Sequence, residues 1–398
     1  MPATTAHKAT HNQTRRANEQ LVLRTIFEDG PLSRADVARA TALTRTTVSD
    51  VVEDLIADGL VAEAGTGPST GGKAPILLRV PSDARQLIGI DVDQERISGV
   101  VIDLKGNVQV RASRVLEGRD ADEARDALDE ISLALVNAAQ RPLVGIGVGA
   151  PGLIDTATGT VRWAVGLDWR DEPTGPHLTG LTGLPVIVVN DSQAAAMAEW
   201  AFGRHENFEA MVVVKVGEGI GAGIVLGGRL YPGDDSGAGE IGHTRVSDDD
   251  TPCRCGSSGC LETISSLRAV LSRARDEAQI RADWAMAGRA VSHEALLEAF
   301  RGGDPVARDI VVESAIPLGR VIGAMIGTLG ARDFVLVGPM AAYGEPWLSA
   351  VRVEARRSAL PLLAERATIH IGRTGDDVVE LGAAAMLMTS RLGLALAA

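Results

Sequence analysis

The stretch Gly237–Glu262, GAGEIGHTRVSDDDTPCRCGSSGCLE, contains all three cysteines of the 398-residue chain, Cys253, Cys255 and Cys260, with His243 ten residues ahead of the first. Three thiolates and one imidazole make a complete tetrahedral set of soft and borderline ligands, the requirement of a closed structural zinc site. Scattered cysteines would read as small buried hydrophobes. Clustering within eight residues, with Gly256 and Gly259 free to turn a short loop round one ion, argues against that reading. A disulfide framework is disfavoured by the odd count, the length of the chain and an N-terminus unlike a secretory signal. The expected cofactor is therefore structural Zn2+ on His243, Cys253, Cys255 and Cys260. The same loop would then hold Glu240 and Glu262 as two carboxylates able to hydrogen-bond a polyhydroxy ligand.

Outward from this loop, hydrophobic residues make up 45% of the chain but aromatics only 3%, alongside 45 glycines. A core of Val, Ile, Leu and Ala with many tight turns points to an α/β fold. No apolar run approaches the roughly 20 residues of a bilayer span without interruption by charge, so a cytoplasmic location and no membrane partner are expected. The net charge of -13 would oppose nucleic acid if evenly spread. Acid and base are close to balanced in residues 1–80, however, and the excess acid lies beyond, as in a DNA-binding module joined to an acidic regulatory domain.

Residues 1–17 are polar and without apolar period, and read as a flexible tail. From Asn18, Leu21, Val22, Thr25 and Ile26 recur at helical spacing up to the stop Asp29-Gly30-Pro31. Ser33 with Asp36 forms a capping box for a second helix, and Thr44 caps a third, TRTTVSDVVEDLIADG, whose Val48, Val51, Val52, Leu55 and Ile56 face inward. This is helix-turn-helix order. It places Thr44, Arg45, Thr46, Thr47 and Ser49 at the end that meets base edges, with Ser33 and Arg34 opening the helix before it. A strand from Leu60-Val61, a Gly-rich tip bearing Lys73 and a return strand Ile76–Val80 complete a wing that would reach phosphate or the minor groove. The bland reading, a helical bundle for dimerisation, does not account for caps, polar face and wing together. The DNA-binding domain is expected at 18–80.

After a linker at Pro81–Arg85, residues 86–116 alternate as hairpins with a turn at Lys105-Gly106-Asn107. A helix is expected over 120–139, a buried strand over Leu143–Val148, and another over Val186–Val189 ending at Asn190-Asp191, where α/β sheets place ligands. Val212–Val216, a Gly217–Gly223 loop and Ile224–Leu226 repeat the first hairpin, which predicts a duplicated, two-lobed fold. Residues 268–330 read as helical core and dimer surface.

The run SRADVARATALTRTTVSDVVEDLIADGLVAEAG with GGKAP, and the later VGAPGLID, VNDSQAAAMAEWAFG, GEGIGAGIV, AGEIGHT and CRCGSSGCLE, resemble the ROK family of repressors, open reading frames and sugar kinases, and in particular its xylose and N-acetylglucosamine repressors. The resemblance covers nearly the whole chain from Asn18. It implies an N-terminal winged helix-turn-helix followed by a two-lobed actin-like, ribonuclease-H-type, sugar-kinase-like domain over 85–398. The small lobe would take about 85–190 plus a C-terminal helix at about 380–398, and the large lobe about 191–379. It also implies that Asp191 stands at the position of a catalytic base, and that Asn190, Asp191, Glu240, His243 and Glu262 form the sugar site, with His243 serving metal and sugar at once. Read from the residues alone, Asp191 could instead cap the helix that follows, or serve both roles.

The nucleotide side departs from the family's pattern in three places. An Asp-x-Gly-Gly-Thr phosphate loop is replaced by Asp91, Val92, Asp93, Gln94 and Glu95, which removes the close backbone approach of a phosphate nest. The Gly-Thr-Gly loop reads Gly217-Glu218-Gly219, and a Gly-Gly pair reads Gly338-Pro339. Added carboxylates repel a triphosphate. The expected function is a sugar-responsive repressor without enzymatic activity, in which Asp191 is a vestigial base, acting as a homodimer or homotetramer on a double-stranded DNA operator. The alternatives are a sugar kinase that also binds DNA and a constitutive DNA-binding protein with an inert scaffold. Trp163 and Trp169 fall near the expected sugar loop or pack between lobes.

Overall fold

The computed structural model describes residues 11–68, 74–118, 120–203, 209–284 and 286–394. Helix α1 (His11–Asp29) buries Val22, Leu23 and Ile26, and it begins inside the segment expected to be a tail. Its first two turns need no apolar face of their own, because they continue a helix already anchored from Leu21 onward. Arg15 also donates from Nη2 to Asp54 Oδ2 at 2.6 Å. Strand β1 (Leu32–Ser33), α2 (Arg34–Thr41) and α3 (Arg45–Ala57) follow, then β2 (Ala62–Thr66) and β3 (Ile76–Arg79) in an antiparallel sheet of order β1-β3-β2. Leu60 and Val61, expected to begin the strand, are buried just ahead of it. The wing tip with Lys73 lies outside the described residues.

This module does not hang on a loose linker. Arg85 donates from Nη2 to the Asp58 carbonyl at 2.7 Å, and Leu104 donates its N–H to the Ser82 carbonyl. Val22, Val37, Val48, Leu55 and Leu78 belong to one apolar cluster that runs on through Leu87, Leu104 and Leu394.

Beyond it come β4 (Gln86–Val92), β5 (Arg96–Asp103), β6 (Val108–Val115), α4 (Ala121–Ala138) and β7 (Leu143–Ala150). A small sheet of β8 (Leu153–Asp155), β9 (Thr160–Ala164) and β10 (Trp169–Glu172) precedes α5 (Thr174–Thr182), β11 (Val186–Asn190) and α6 (Asp191–Phe202). The second half opens with β12 (Ala210–Val216), β13 (Ile220–Leu226) and β14 (Arg229–Leu230), and a long loop leads to α7 (Glu262–Ser265), α8 (Leu267–Ile280), α9 (His293–Arg301) and α10 (Pro305–Leu329). It closes with β15 (Asp333–Val337), α11 (Glu345–Ser358), α12 (Pro361–Ala364), β16 (Thr368–Ile371) and α13 (Val378–Leu392).

The two large sheets have orders β11-β7-β4-β5-β6 and β14-β13-β12-β15-β16. In each, a three-strand antiparallel meander is extended by two parallel strands beside its first member. The duplication expected from the repeated hairpin is thus realised as the actin-like architecture. Helices α6 and α13 pack on each other between the sheets, α13 on β4 and β7 and α6 on β12 and β13. Strand β13 starts at Ile220, three residues before the end of the expected loop. The glycines there serve a close approach and not a turn: a Cβ at Gly223 would lie 2.5 Å from the Ser192 carbonyl oxygen on α6. Helix α10 is long and apolar enough to cross a membrane by composition, with a window of mean hydropathy 1.6, but 67% of that window is buried. Its Ile310, Val311, Leu318, Ile322 and Ile326 are buried in the core that covers the outer face of the second sheet.

Candidate functional site

At the end expected to read DNA, the local signals form as their residue types require. Thr44 Oγ1 accepts from the Thr47 N–H at 3.1 Å, leaving Arg45 and Thr46 exposed at the positive end of the α3 dipole, with Thr47 and Ser49 half-buried. Ser33 differs from its expected role as a DNA contact. It is buried, its Oγ accepts from the Asp36 N–H at 3.2 Å, and its own N–H donates to Asp36 Oδ2 at 3.1 Å. Its hydroxyl is engaged in the cap. Arg34 is half-buried at the start of α2.

The metal candidates converge although the loop carrying them is irregular. A short 3-10 turn, Ile241–His243, presents His243, and isolated bridges Arg245–Cys260 and Pro252–Ser258 fold the cysteine segment back on it. One donor atom from each of His243, Cys253, Cys255 and Cys260 lies within 4.8 Å of the others. Cys255 Sγ and Cys260 Sγ are 3.9 Å apart, and Cys253 Sγ is 3.6 Å from His243 Nδ1. A tetrahedral ion with bonds of about 2.3 Å to sulfur sets its sulfurs about 3.8 Å apart, so the donor set fits. Burial pushes the Cys253 and Cys260 thiols up, a cost that a bound cation reverses.

Beside this cluster the cleft between the lobes encloses a cavity of about 280 Å³. Asn190, Asp191, Glu240, His243 and Glu262 all line it. Asn190, and not Asp191, caps α6: its Oδ1 accepts from the Ser192 and Gln193 N–H groups at 3.0 and 3.1 Å, while Nδ2 donates to the Gly152 carbonyl. The capping reading of Asp191 is corrected accordingly. Asp191 Oδ2 instead accepts from Lys215 Nζ at 2.7 Å. His243 turns Nδ1 toward the cysteines and Nε2 to within 3.8 Å of Glu240 Oε2. Burial, then Asp191, pushes the Glu240 carboxyl up, with His243 opposing. Buried Glu262 accepts from Arg268 Nη2 at 3.3 Å and from Cys253 Sγ at 3.2 Å. Carboxylates and one imidazole nitrogen thus converge where hydroxyl groups could be held.

The same cavity carries residues that local sequence patterns did not single out. Lys215, Arg254 and Arg268 line it, the first from the penultimate position of β12 and the others from either side of the last cysteine. Asp93, Gln94 and Glu218 share the lining, and burial followed by Glu95 and Asp93 pushes the Glu218 carboxyl up. The acids placed on the two phosphate-loop positions therefore face one another electrostatically. Pro339 packs toward Gly217, its Cδ 3.5 Å from where a Cβ would stand. The two tryptophans separate: Trp163 lines the cavity with Arg170 over its ring at 5.5 Å, whereas Trp169 is buried and donates to the Ala121 carbonyl.

A winged helix-turn-helix DNA-binding family matches residues 15–62, and the ROK family matches residues 87–390. The xylose repressor of Caldicellulosiruptor bescii is 30% identical over 392 residues, 96% of this chain and 98% of that protein. A solved ROK family transcriptional regulator, a homologue of the Escherichia coli Mlc protein, superposes with a TM-score of 0.83 at 25% identity over 96% of this chain and 98% of its own. A ROK family glucokinase from Streptomyces griseus, in complex with glucose and AMPPNP, superposes with a TM-score of 0.69 at 29% identity over 76% of this chain and 98% of its own. With the family matched along both lobes and the winged helix in front of them, the chain belongs to the ROK family.

Proposed function

We propose that this chain is a sugar-responsive repressor of carbohydrate-metabolism genes, acting in the cytoplasm on a double-stranded operator. The observation that carries the proposal is the asymmetry of the cleft. The hydroxyl-facing side gathers Asp191, Glu240, His243 and Glu262, while the turns that would face a triphosphate carry Asp93, Glu95 and Glu218. The acids on these turns disfavour a triphosphate although Lys215, Arg254 and Arg268 also line the cavity, and ATP binding is lost in this reading.

His243, Cys253, Cys255 and Cys260 would hold Zn2+, which supplies structural cross-linking of the loop and no chemistry on the sugar. Glu240 and Glu262 orient hydroxyls as acceptors, and His243 offers Nε2 while Nδ1 faces the thiols. Sugar bound between lobes favours one inter-lobe angle. Because α13 runs between the two sheets and on to α1, that angle is felt by the winged helix. A homodimer, or a tetramer built from it, would set the spacing of two recognition helices on a palindromic operator, and the sugar would change that spacing.

Calorimetric titration of the zinc-loaded protein with a panel of simple sugars, and separately with Mg-ATP, tests the reading. A sugar that binds while Mg-ATP gives no heat is expected, and Glu240→Ala should then abolish sugar-dependent release from operator DNA. Clear Mg-ATP binding would refute the loss of nucleotide and favour a kinase that also binds DNA. Unchanged DNA behaviour in Glu240→Ala would favour an inert scaffold.

A further inference from the structure

Trp163 and Trp169 belong to one hairpin, β9 and β10, yet only Trp169 joins the apolar interior. Trp163 is half-buried and lines the cleft cavity. A large aromatic left at a cavity wall forgoes part of the stabilisation that burial gives, and a ligand surface can restore it. The strand register fixes what surrounds the ring. Trp163 stands opposite Arg170 on β10 and opposite Leu153 on β8. Arg170 lies over the indole, 5.5 Å from its centroid, and does not line the cavity, so the cation backs the ring and holds its plane. Leu153 and Val165, 38% and 41% exposed, line the same cavity. Together they make an apolar shelf in a cleft whose other side chains are mostly charged.

The shelf is tied to the hydroxyl-facing groups through the backbone. Asn190 Nδ2 donates to the Gly152 carbonyl at 3.0 Å. Gly152, at φ +85, packs so closely on β9 that a Cβ there would stand 2.0 Å from the Trp163 carbonyl oxygen. Asp191 follows Asn190 directly, so shelf and carboxylate keep a fixed relation. A single sugar ring held by its hydroxyls on Asp191, Glu240 and Glu262 has no need of such a shelf. A second ring does, because one face of a pyranose is a set of positively polarised C–H groups that suits the negative face of an indole. Among the described residues the Trp163 Nε1–H donates to no protein acceptor, which leaves it for a sugar oxygen.

We propose that Trp163, with Leu153 and Val165, forms a second sugar subsite in the cleft, and that the effector is a disaccharide whose first ring meets the carboxylates and whose second ring stacks on Trp163. This inference rests on reading the cleft as a sugar site. The two fail separately: binding of no sugar at all would refute that reading, whereas binding of monosaccharides with no gain for any disaccharide would refute the subsite alone.

The test titrates zinc-loaded full-length protein calorimetrically with glucose, galactose and xylose, and with cellobiose, maltose, lactose, melibiose and xylobiose, which are built from them. At least one disaccharide should bind at least about ten-fold more tightly than either of its component sugars. Trp163→Ala should remove that preference and leave monosaccharide affinity unchanged, while Trp163→Phe, which keeps a ring, should retain most of it. Tryptophan emission gives a second readout: the change on adding the preferred disaccharide should be larger in the wild type than in Trp163→Phe. Absence of any disaccharide preference in the wild type would overturn the proposal. So would a preference that survives in Trp163→Ala, or an equal loss of monosaccharide and disaccharide affinity in that variant, which would mark Trp163 as a structural residue.

Discussion

Gln94 Oε1 accepts a hydrogen bond from Arg254 Nη1 at 2.6 Å, joining two residues 160 positions apart. Gln94 lies in the turn after β4 on one lobe, and Arg254 lies between Cys253 and Cys255 on the other. Gln94 is seated against Gly166, where a Cβ would be 2.1 Å from its Cδ. The pair closes the cleft over the cavity that both line. A bond to a charged donor of this kind contributes about 1.5–3 kcal/mol. Gln94→Ala is therefore expected to weaken sugar binding roughly ten-fold by depopulating the closed cleft, as calorimetry would read. In metal-depleted protein the substitution should have little further effect, since Arg254 depends on the cysteine loop for its place.

Metal removal tests the loop itself. Chelation should release about one ion per chain and lower sugar affinity, while α1 to β3 keep their fold, because their core contains no residue of the loop. Thiols raised by burial must lose protons to bind metal, so binding should release protons and weaken as pH falls. Cys255→Ser should reproduce the loss. Unchanged sugar affinity in the metal-free protein would separate the two sites.

Two substitutions in the winged helix should part ways. Arg45→Ala removes an exposed side chain at the reading end of α3, and should cost about 1–3 kcal/mol of operator binding with unchanged thermal stability. Ser33→Ala removes a buried cap and should cost about 1 kcal/mol of stability, with no change in base preference. Operator titrations against base-substituted sites, beside thermal melts, distinguish them.

His370 on β16 hydrogen-bonds through Nε2 to Asp333, fully buried on β15, at 2.8 Å. That bond, against the opposing effect of burial, raises the His370 pKa above its ordinary value. A raised histidine contributes stability that is fully present below its unfolded pKa of about 6.5 and is lost as pH rises through the folded value. The difference in unfolding midpoint between wild type and His370→Asn should accordingly be larger at about pH 5.5 than at about pH 9. A difference that grows with pH would contradict the assignment.

The far end of α13 meets α1. Gly393 has φ +68, and a Cβ there would stand 2.8 Å from Gln20 Cβ. The near end lies against the first sheet, where Glu380 accepts from Ser98 Oγ at 2.8 Å. Gly393→Val should push α1 away, leaving sugar affinity intact while weakening operator binding or its response to sugar. Parallel sugar and operator titrations would show it, and loss of sugar affinity would instead mean a damaged lobe.

Much of this was legible because its physics is short-range. The Cys/His spacing, the Ser33–Asp36 box, the Thr44 cap and the apolar stripes of α1 and α3 each lie within one loop or one helix, and the repeated hairpin announced two lobes. Where a reading depended on direction, local pattern did not suffice. Gly221 and Gly223 looked like a loop until α6 was seen to lie against them, and Asn190 took the cap that Asp191 also could have supplied. Ser33 forms the cap its pattern announced, but that it is buried there was not legible from the pattern.

The sequence by itself determined the element order, the duplication, a His/Cys donor set that could hold a metal and the acids on the phosphate-loop positions, since these follow from residue type and spacing. Only the tertiary structure decided that Lys215 meets Asp191, that Gln94 meets Arg254, and that Trp163 faces the cleft while Trp169 joins the core. Those pairings join different sheets and loops. Their partners are set by how two lobes pack around α6 and α13, and no periodicity along one segment encodes that distance.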